Sequence, residues 1–535
     1  MIDRTPGPRI PIVACGCFLL FSIGCIPQGK IALGADQAGQ PSTLSTCVSP
    51  IQPVDVSQPT TVIGTGVRSS CTEAALEQAL LRGGIIVFNC GGNATIRFSS
   101  EKRLRSDVNT IIDGQGQITL DGNGNTRLFR FVGPNWRTTT ITVTLQNIAL
   151  INGRGRGTAI PEIPGQPPQC SRGFHLDGGG GAVFIQDGVL HVFNTVFQNN
   201  QAEPLGPDVA GGGIYALGSQ EVVVVNSRFI NNSGANGGAI GSLNSDLAVI
   251  NSVFDQGNAL GQDGNISDPS CVEGEAGSGG SGGAIYIDGG GDLTHTFCGN
   301  RFSGNRAGTN ALGGAIFRVS DVDPQTTIID QCTFDANSSP GGGALYFHNS
   351  DLRITRSTFA NNAARIGGSL QADSTILFVE NSTFFNNQAS GPWGVVALFD
   401  GRGDIHNSTF VANRADFSPI APDFTAFTIE NSIFFDSVAT GGILACDAAS
   451  SGSGNLQWPD PGVSGPNSLS GCVSGVSIGD PQLPDLANNG GPTLTFLPAL
   501  SSSAIGRGTG CPETDQRNVR RGNRSACTVG SVEIL

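Results

Sequence analysis

Nine short segments of this chain align on a single phenylalanine. They read "NTVFQNN", "NSRFINN", "NSVFDQG", "NRFSGN", "QCTFDAN", "RSTFANN", "NSTFFNN", "NSTFVAN" and "NSIFFDS", with the ring at Phe197, Phe229, Phe254, Phe302, Phe334, Phe359, Phe384, Phe410 and Phe434. The last four spacings are 25, 25, 26 and 24 residues, and a fixed period of that size means stacked supersecondary units. Between the anchors, "GGAV" at 180, "GGAI" at 237, 282 and 313, "GGAL" at 342 and "GGSL" at 367 each open another apolar run. Gly and Asn turns separate these runs and leave no room for a helix of about ten residues, which excludes architectures with a helix in every repeat. Strands that recur once per coil and stack on their own copies make a parallel β-helix, in which each coil advances about 4.8 Å. An elongated solenoid also answers how 535 residues fold when a single compact core stops growing well below that length.

The columns of the repeat assign faces. Five residues before each anchor stand Val192, Val224, Val249, Phe297, Ile329, Ile354, Val379, Ile405 and Ile429, all apolar, so this column faces inward. Three residues after the anchor, Asn recurs at 200, 232, 305, 337, 362, 387 and 413. A side-chain amide donates and accepts, so these asparagines are expected to hydrogen-bond up a ladder and to occupy left-handed turn positions. Two long gaps, 153 to 179 and 261 to 281, both precede a "GGA" and read as insertions leaving the solenoid at the same corner. Cys170 and Cys271 within them form a candidate pair.

Arg4 and Arg9 precede an apolar run from Ile10 to Cys25, the length of a signal-peptide core and short for a membrane span. Residues 1–34 are therefore read as a leader and 35–70 as the approach to the solenoid. "FSIGC" resembles a bacterial lipobox with Cys25 as the lipidation candidate, and any membrane attachment is expected there; ordinary cleavage near "ALGA", residues 32–35, is the alternative. Eleven of the 14 cysteines lie beyond the leader, which in an oxidising compartment implies several disulfides and one odd thiol. Cys71 with Cys90 and Cys511 with Cys527 are the preferred pairs. A net charge of −14 argues against nucleic acid, whose binding runs through Lys and Arg on phosphate.

"CTEAALEQALLRG", residues 71–83, carries helix formers just ahead of the first strand-like runs and reads as a helix capping the open sheet edge. The β-helix is placed over 71–440, and residues 441–535 form a C-terminal region. The "GGAI" and "FxxN" repeats resemble those of chlamydial polymorphic outer-membrane proteins over about residues 180 to 440. The tail resembles the bacterial choice-of-anchor Q domain through Asn489, Gly490, Gly491, Pro492 and Thr493, then Ala504 and Ile505, then Asp515, Gln516 and Arg517, then Cys527, Gly530 and Glu533. Asn518, Ser531 and Val532 depart from its pattern. The resemblance implies a secreted, right-handed parallel β-helix that is commonly surface-anchored.

Such solenoids include pectate lyases and polygalacturonases, whose chemistry needs carboxylates held together, for acid and base work or for Ca²⁺. No "NTD" or "GHG" of the polygalacturonase kind occurs. The repeat nevertheless nominates one place. Positions four and six before the anchor alternate with the buried column and point outward, so Glu380, His406 and Glu430 are expected to stack on successive coils with Asp404 beside His406. The tripeptide Arg402-Gly403-Asp404 resembles an integrin-attachment signal, but it sits at the entry to a stacked strand rather than on a protruding loop. The reading that results is a secreted or surface scaffold that binds an extracellular glycan or cell-surface component without catalysis and without a cofactor. The alternative is a lyase or glycoside hydrolase on acidic glycans, for which Ca²⁺ is the expected cofactor.

Overall fold

The computed structural model describes residues 47–534, except 162–163, 166–172, 268–274, 321, 323, 392, 416–419, 424–426, 440–449, 459–472, 474 and 523–524. The leader with Cys25, and the Cys170 and Cys271 pair, lie outside the described residues.

The described chain winds as a parallel β-helix. Each coil contributes a strand that ends just before the anchor, such as Ile376–Glu380, then a short anchor strand, such as Thr383–Phe385, and a strand of the opposite wall, such as Leu370–Asp373. Every anchor strand pairs in parallel with its copy one coil on, Phe359 opposite Phe384 and Phe384 opposite Phe410. The nine anchor rings stack face to face through the core with centroids 4.6 to 5.2 Å apart, the spacing of the coils themselves. The column five before the anchor is buried throughout.

The asparagine ladder forms. Asn362 donates its backbone N–H and its Nδ2 to Asn387 Oδ1, at 3.0 and 2.9 Å, and sends a second Nδ2 bond to the Phe334 carbonyl. The same pattern runs from Asn305 to Asn413. The expected left-handed conformation, however, belongs to neighbouring residues. Asn199, Asn231, Asn361 and Asn386, one position earlier, carry φ near +50°, as do Asn381, Asn407 and Asn431 at the corner before the anchor strand. The ladder asparagines are freed for inward bonding because a neighbour turns the chain. At the opposite corner "GGA" has a steric cause: a Cβ on Gly343 would lie 2.0 Å from the Gly368 carbonyl oxygen of the next coil.

An α-helix, Glu73–Arg82, caps the first coil, with Thr72 Oγ1 accepting from Ala75 N and Leu76, Ala79 and Leu80 buried against the core. Disulfides join Cys71 to Cys90 and Cys511 to Cys527, and Cys332 is a buried free thiol. A third bridge, Cys47 to Cys298, spans 251 residues of sequence. It fixes the start of a strap, residues 47–57, across the outer face of the solenoid. Asn251 clamps the backbone of Cys47 with both ends of its amide, Gln146 clamps Val54 likewise, and Ile51 packs on Phe193, Val223, Val225 and Ile250.

The described parts of both insertions bond to the segment around Leu205 and Gly206 that lies between them. Phe174 N bonds Leu205 O, Gly206 N bonds Ser278 O, and Asn310 N bonds Gln262 O. Buried Asn236 ties this lobe together, donating to the Pro207 and Val209 carbonyls and accepting from Gly280 N and Ser281 N.

Candidate functional site

The strand before the anchor buries alternate residues and turns the others outward, so register fixes what lines the flank. Asp330, Thr355, Glu380, His406 and Glu430 are successive partners across parallel strands. Glu380, His406 and Glu430 thus form one column, each partly exposed. Asp404 stands on the neighbouring outward column, between Phe378 and Thr428.

These side chains interlock as a ladder. His406 Nδ1 is 3.5 Å from a Glu430 carboxylate oxygen. The His406 ring lies against Phe378, with centroids 5.6 Å apart, and the Arg353 guanidinium covers Phe378 from the coil before at 4.3 Å. A guanidinium over an aromatic face is attracted by the ring quadrupole, and stacking holds the imidazole in one plane. One coil earlier, Asp330 is held by the Thr355 hydroxyl at 2.7 Å and by both ends of the Arg356 fork. The metal-ligating atoms of Glu380, His406 and Glu430 do not converge on one point. Among the described residues, Cys47, Cys298 and Asp330 do converge within 4.8 Å, but both sulfurs are committed to their disulfide.

Two boundaries of this flank escape sequence reasoning. Toward the N-terminus, the strap and the sheet enclose an open groove of about 530 Å³, floored by Val223, Ala248 and Ile250, with Glu221 and Gln331 at its rim. No periodic signal marks it, because Cys47, Val48 and Pro50 close it from outside the repeat. On the other side the tail docks along the corner asparagines next to the column. Asn381 Nδ2 bonds the Thr514 carbonyl, Asn431 Nδ2 bonds the Thr509 carbonyl, and Asn407 Nδ2 lies 3.2 Å from Cys511 Sγ. Buried Gln516 reaches the Ser357 carbonyl, Thr358 Oγ1 and Thr493 Oγ1, and Asp515 receives Arg517 and the Glu533 amide. Fully buried Arg521 pairs with Glu533 at 2.9 Å and donates to Asn381 Oδ1.

The tripeptide Arg402-Gly403-Asp404 lies within the strand Arg402–His406. Gly403 occupies an inward position, and a Cβ there would meet the Phe427 ring of the next coil at 2.3 Å. The glycine is there to admit that ring. Gly403→Ala is expected to destabilise the protein by about 1–3 kcal/mol, the usual cost of overpacking, which urea unfolding measures; an unchanged midpoint would refute this packing role.

Residues 277–455 match the family model described as the right-handed beta helix region, and residues 194–217 match that of the Chlamydia polymorphic membrane protein repeat. No curated protein matches the sequence. Solved structures similar to this one include pectate lyase Pel9A, at 12% identity over 86% of this chain and 91% of that one, TM-score 0.33. The A-module of the mannuronan C-5 epimerase AlgE4 of Azotobacter vinelandii is similar at 10% identity over 76% and 97%, TM-score 0.31. PfbA, a surface adhesin of Streptococcus pneumoniae, is similar at 11% identity over 82% and 97%, TM-score 0.31. The chain is a right-handed parallel β-helix with a repeat like that of the polymorphic membrane proteins.

Proposed function

We propose that this protein is an extracellular or cell-surface scaffold that binds an extended glycan along the outward strip from the strap groove to Glu430, without turning it over. The observation that carries this is the register of Glu380, His406 and Glu430. Polar groups repeat along the flank at about 4.8 Å per coil, a spacing that suits a ligand made of repeating, hydroxyl-rich units. The strip is continuous with the groove through Cys298 and Asp330, so a chain-like ligand has a path about 24 Å long across five coil steps.

Two features favour binding over catalysis. His406 is stacked on Phe378 and paired with Glu430, whereas a general base must be aimed at the proton that it removes. The carboxylates are spread along the ladder instead of facing one another across a cleft. The three disulfides among the described residues fit an oxidising compartment. The leader, the lipidation candidate Cys25 and the tail's resemblance to choice-of-anchor Q domains support export and surface display. The acidic balance of the chain disfavours nucleic acid as a partner.

A glycan array tests the reading. The full-length protein is expected to retain one class of glycan, and the variant combining Glu380→Gln, His406→Ala and Glu430→Gln to bind it about tenfold more weakly, equivalent to ~1.4 kcal/mol. All three side chains point outward, so the fold should survive. Equal retention by this variant would remove the strip from the binding site.

A further inference from the structure

The outward face of the wall before the anchors changes character along the solenoid. Four residues before the anchor, the column runs Phe193, Val225, Ile250 and Cys298, then Asp330, Thr355, Glu380, His406 and Glu430. Val223 stands on the neighbouring outward column. Phe193, Val223, Val225 and Ile250 face away from the core and are nevertheless buried, with Ile51 of the strap packed against them. From Asp330 onward, past the bridged end of the strap, the column is polar and partly exposed. Apolar side chains gathered on an outer face need a cover, and residues 47–57 supply it.

The cover is held by side-chain amides and one covalent bond. Residues 47–57 form no strand, so no ladder joins them to the sheet. Asn251 accepts from Cys47 N at 3.1 Å and donates to the Cys47 carbonyl at 2.8 Å, and Gln146 does the same for Val54 at 3.0 and 2.9 Å. Hydrogen bonds of this kind are exchanged for water at small net cost. The Cys47–Cys298 bridge joins residues 251 apart in sequence, against 19 and 16 for the other two bridges. Once it opens, chain continuity does not keep Cys47 at the flank.

This bridge also differs from the others in access. Cys71, Cys90, Cys511 and Cys527 are buried. Cys47 and Cys298 are partly exposed, and both line the open groove. A disulfide is cleaved by a thiolate that reaches one of its sulfurs, so an external thiol meets this bridge first.

We propose that Cys47–Cys298 is a redox latch, which an external dithiol opens to release the strap from the flank and uncover the apolar face of Phe193, Val223, Val225 and Ile250. One thiolate of the dithiol attacks a sulfur of the bridge and displaces the other, which takes up a proton. The second thiol of the reagent then closes the reagent's own disulfide, so two electrons pass to the bridge and both cysteines end as thiols. Val223 and Ile250 already floor the groove, and loss of the strap extends that groove toward the N-terminal coils. The latch acts whatever the strip beyond Cys298 binds.

The test treats the full-length protein with dithiothreitol under native conditions, caps the thiols with iodoacetamide and identifies the capped peptides by mass spectrometry. Cys47 and Cys298 are expected to open about tenfold faster than the other two bridges, because rate follows access. Hydrogen exchange on the same samples should quicken at the amides of Cys47 and Val54, stay slow at Val379 and Ile405, and slow again at the strap after reoxidation with oxidised dithiothreitol. Cys298→Ser should show the fast strap exchange without any reductant. Opening of all three bridges at one rate overturns the proposal. So does a strap whose exchange is the same before and after the bridge opens, or the same in Cys298→Ser as in the oxidised parent, or whose protection does not return on reoxidation.

Discussion

Replacing Asn362 by Leu is expected to destabilise the protein by about 4 kcal/mol, although the two side chains have the same number of heavy atoms. Asn362 Oδ1 accepts from both the backbone N–H and the Nδ2 of Asn337, while its Nδ2 serves the Phe334 carbonyl and Asn387 Oδ1. Leucine leaves two donors of Asn337 and one carbonyl buried and unpaired, at about 1–3 kcal/mol each before relaxation. Thermal or urea unfolding measures the loss, and hydrogen exchange should quicken first at the amides of Asn337 and Asn362. A cost below about 1 kcal/mol would mean that water or backbone shifts replace the ladder, and that the asparagines are not what holds this corner.

The second large effect is expected at the tail. Arg521→Met removes the cation from a fully buried pair and strands the Glu533 carboxylate, which then keeps only Thr528 for company. Breaking a buried pair from one side costs about 3–5 kcal/mol. Arg521 also bonds Asn381 and the Thr528 and Gly530 carbonyls, so the damage should be local: residues 479–534 should detach before the coils melt. Limited proteolysis should cut the variant within the tail while the solenoid stays resistant. The double variant Arg521→Met with Glu533→Leu should recover much of the loss, because no lone charge remains. Failure to recover would assign the effect to the carbonyl contacts of Arg521 instead of the pair.

Sequence made the coil legible wherever a side chain repeats its role at a fixed offset. The anchor rings and the inward residues around Val379 and Ile405 were readable because strand alternation has period two. Glu380, His406 and Glu430 could be placed on one flank for the same reason. Their partners could not: Arg353 and Phe378 pack against His406 through side-chain length and angle, which no spacing encodes. The turn conformation was assigned one residue too late, since Asn361 and Asn362 are the same residue type and only geometry separates the one that turns from the one that bonds. The Cys47–Cys298 bridge joins a residue ahead of the first coil to one deep within the repeat, so no local pattern announces it. In the tail, Gln516 and Glu533 are visible only as motif letters and Arg521 is not singled out, and their meaning as a joint to Ser357, Thr358 and Asn381 needs coordinates.

If the flank holds a glycan and leaves it whole, as proposed, the mass of that glycan after contact reports it most directly. The protein is incubated, with and without Ca²⁺, with the glycan that it retains, and the ligand is recovered and analysed by mass spectrometry, with ultraviolet absorbance followed for unsaturated ends. The ligand should return at its starting mass under both conditions. Recovery of shortened or unsaturated products, in amounts that fall with Glu380→Gln or His406→Ala, would contradict it and make the strip an active site.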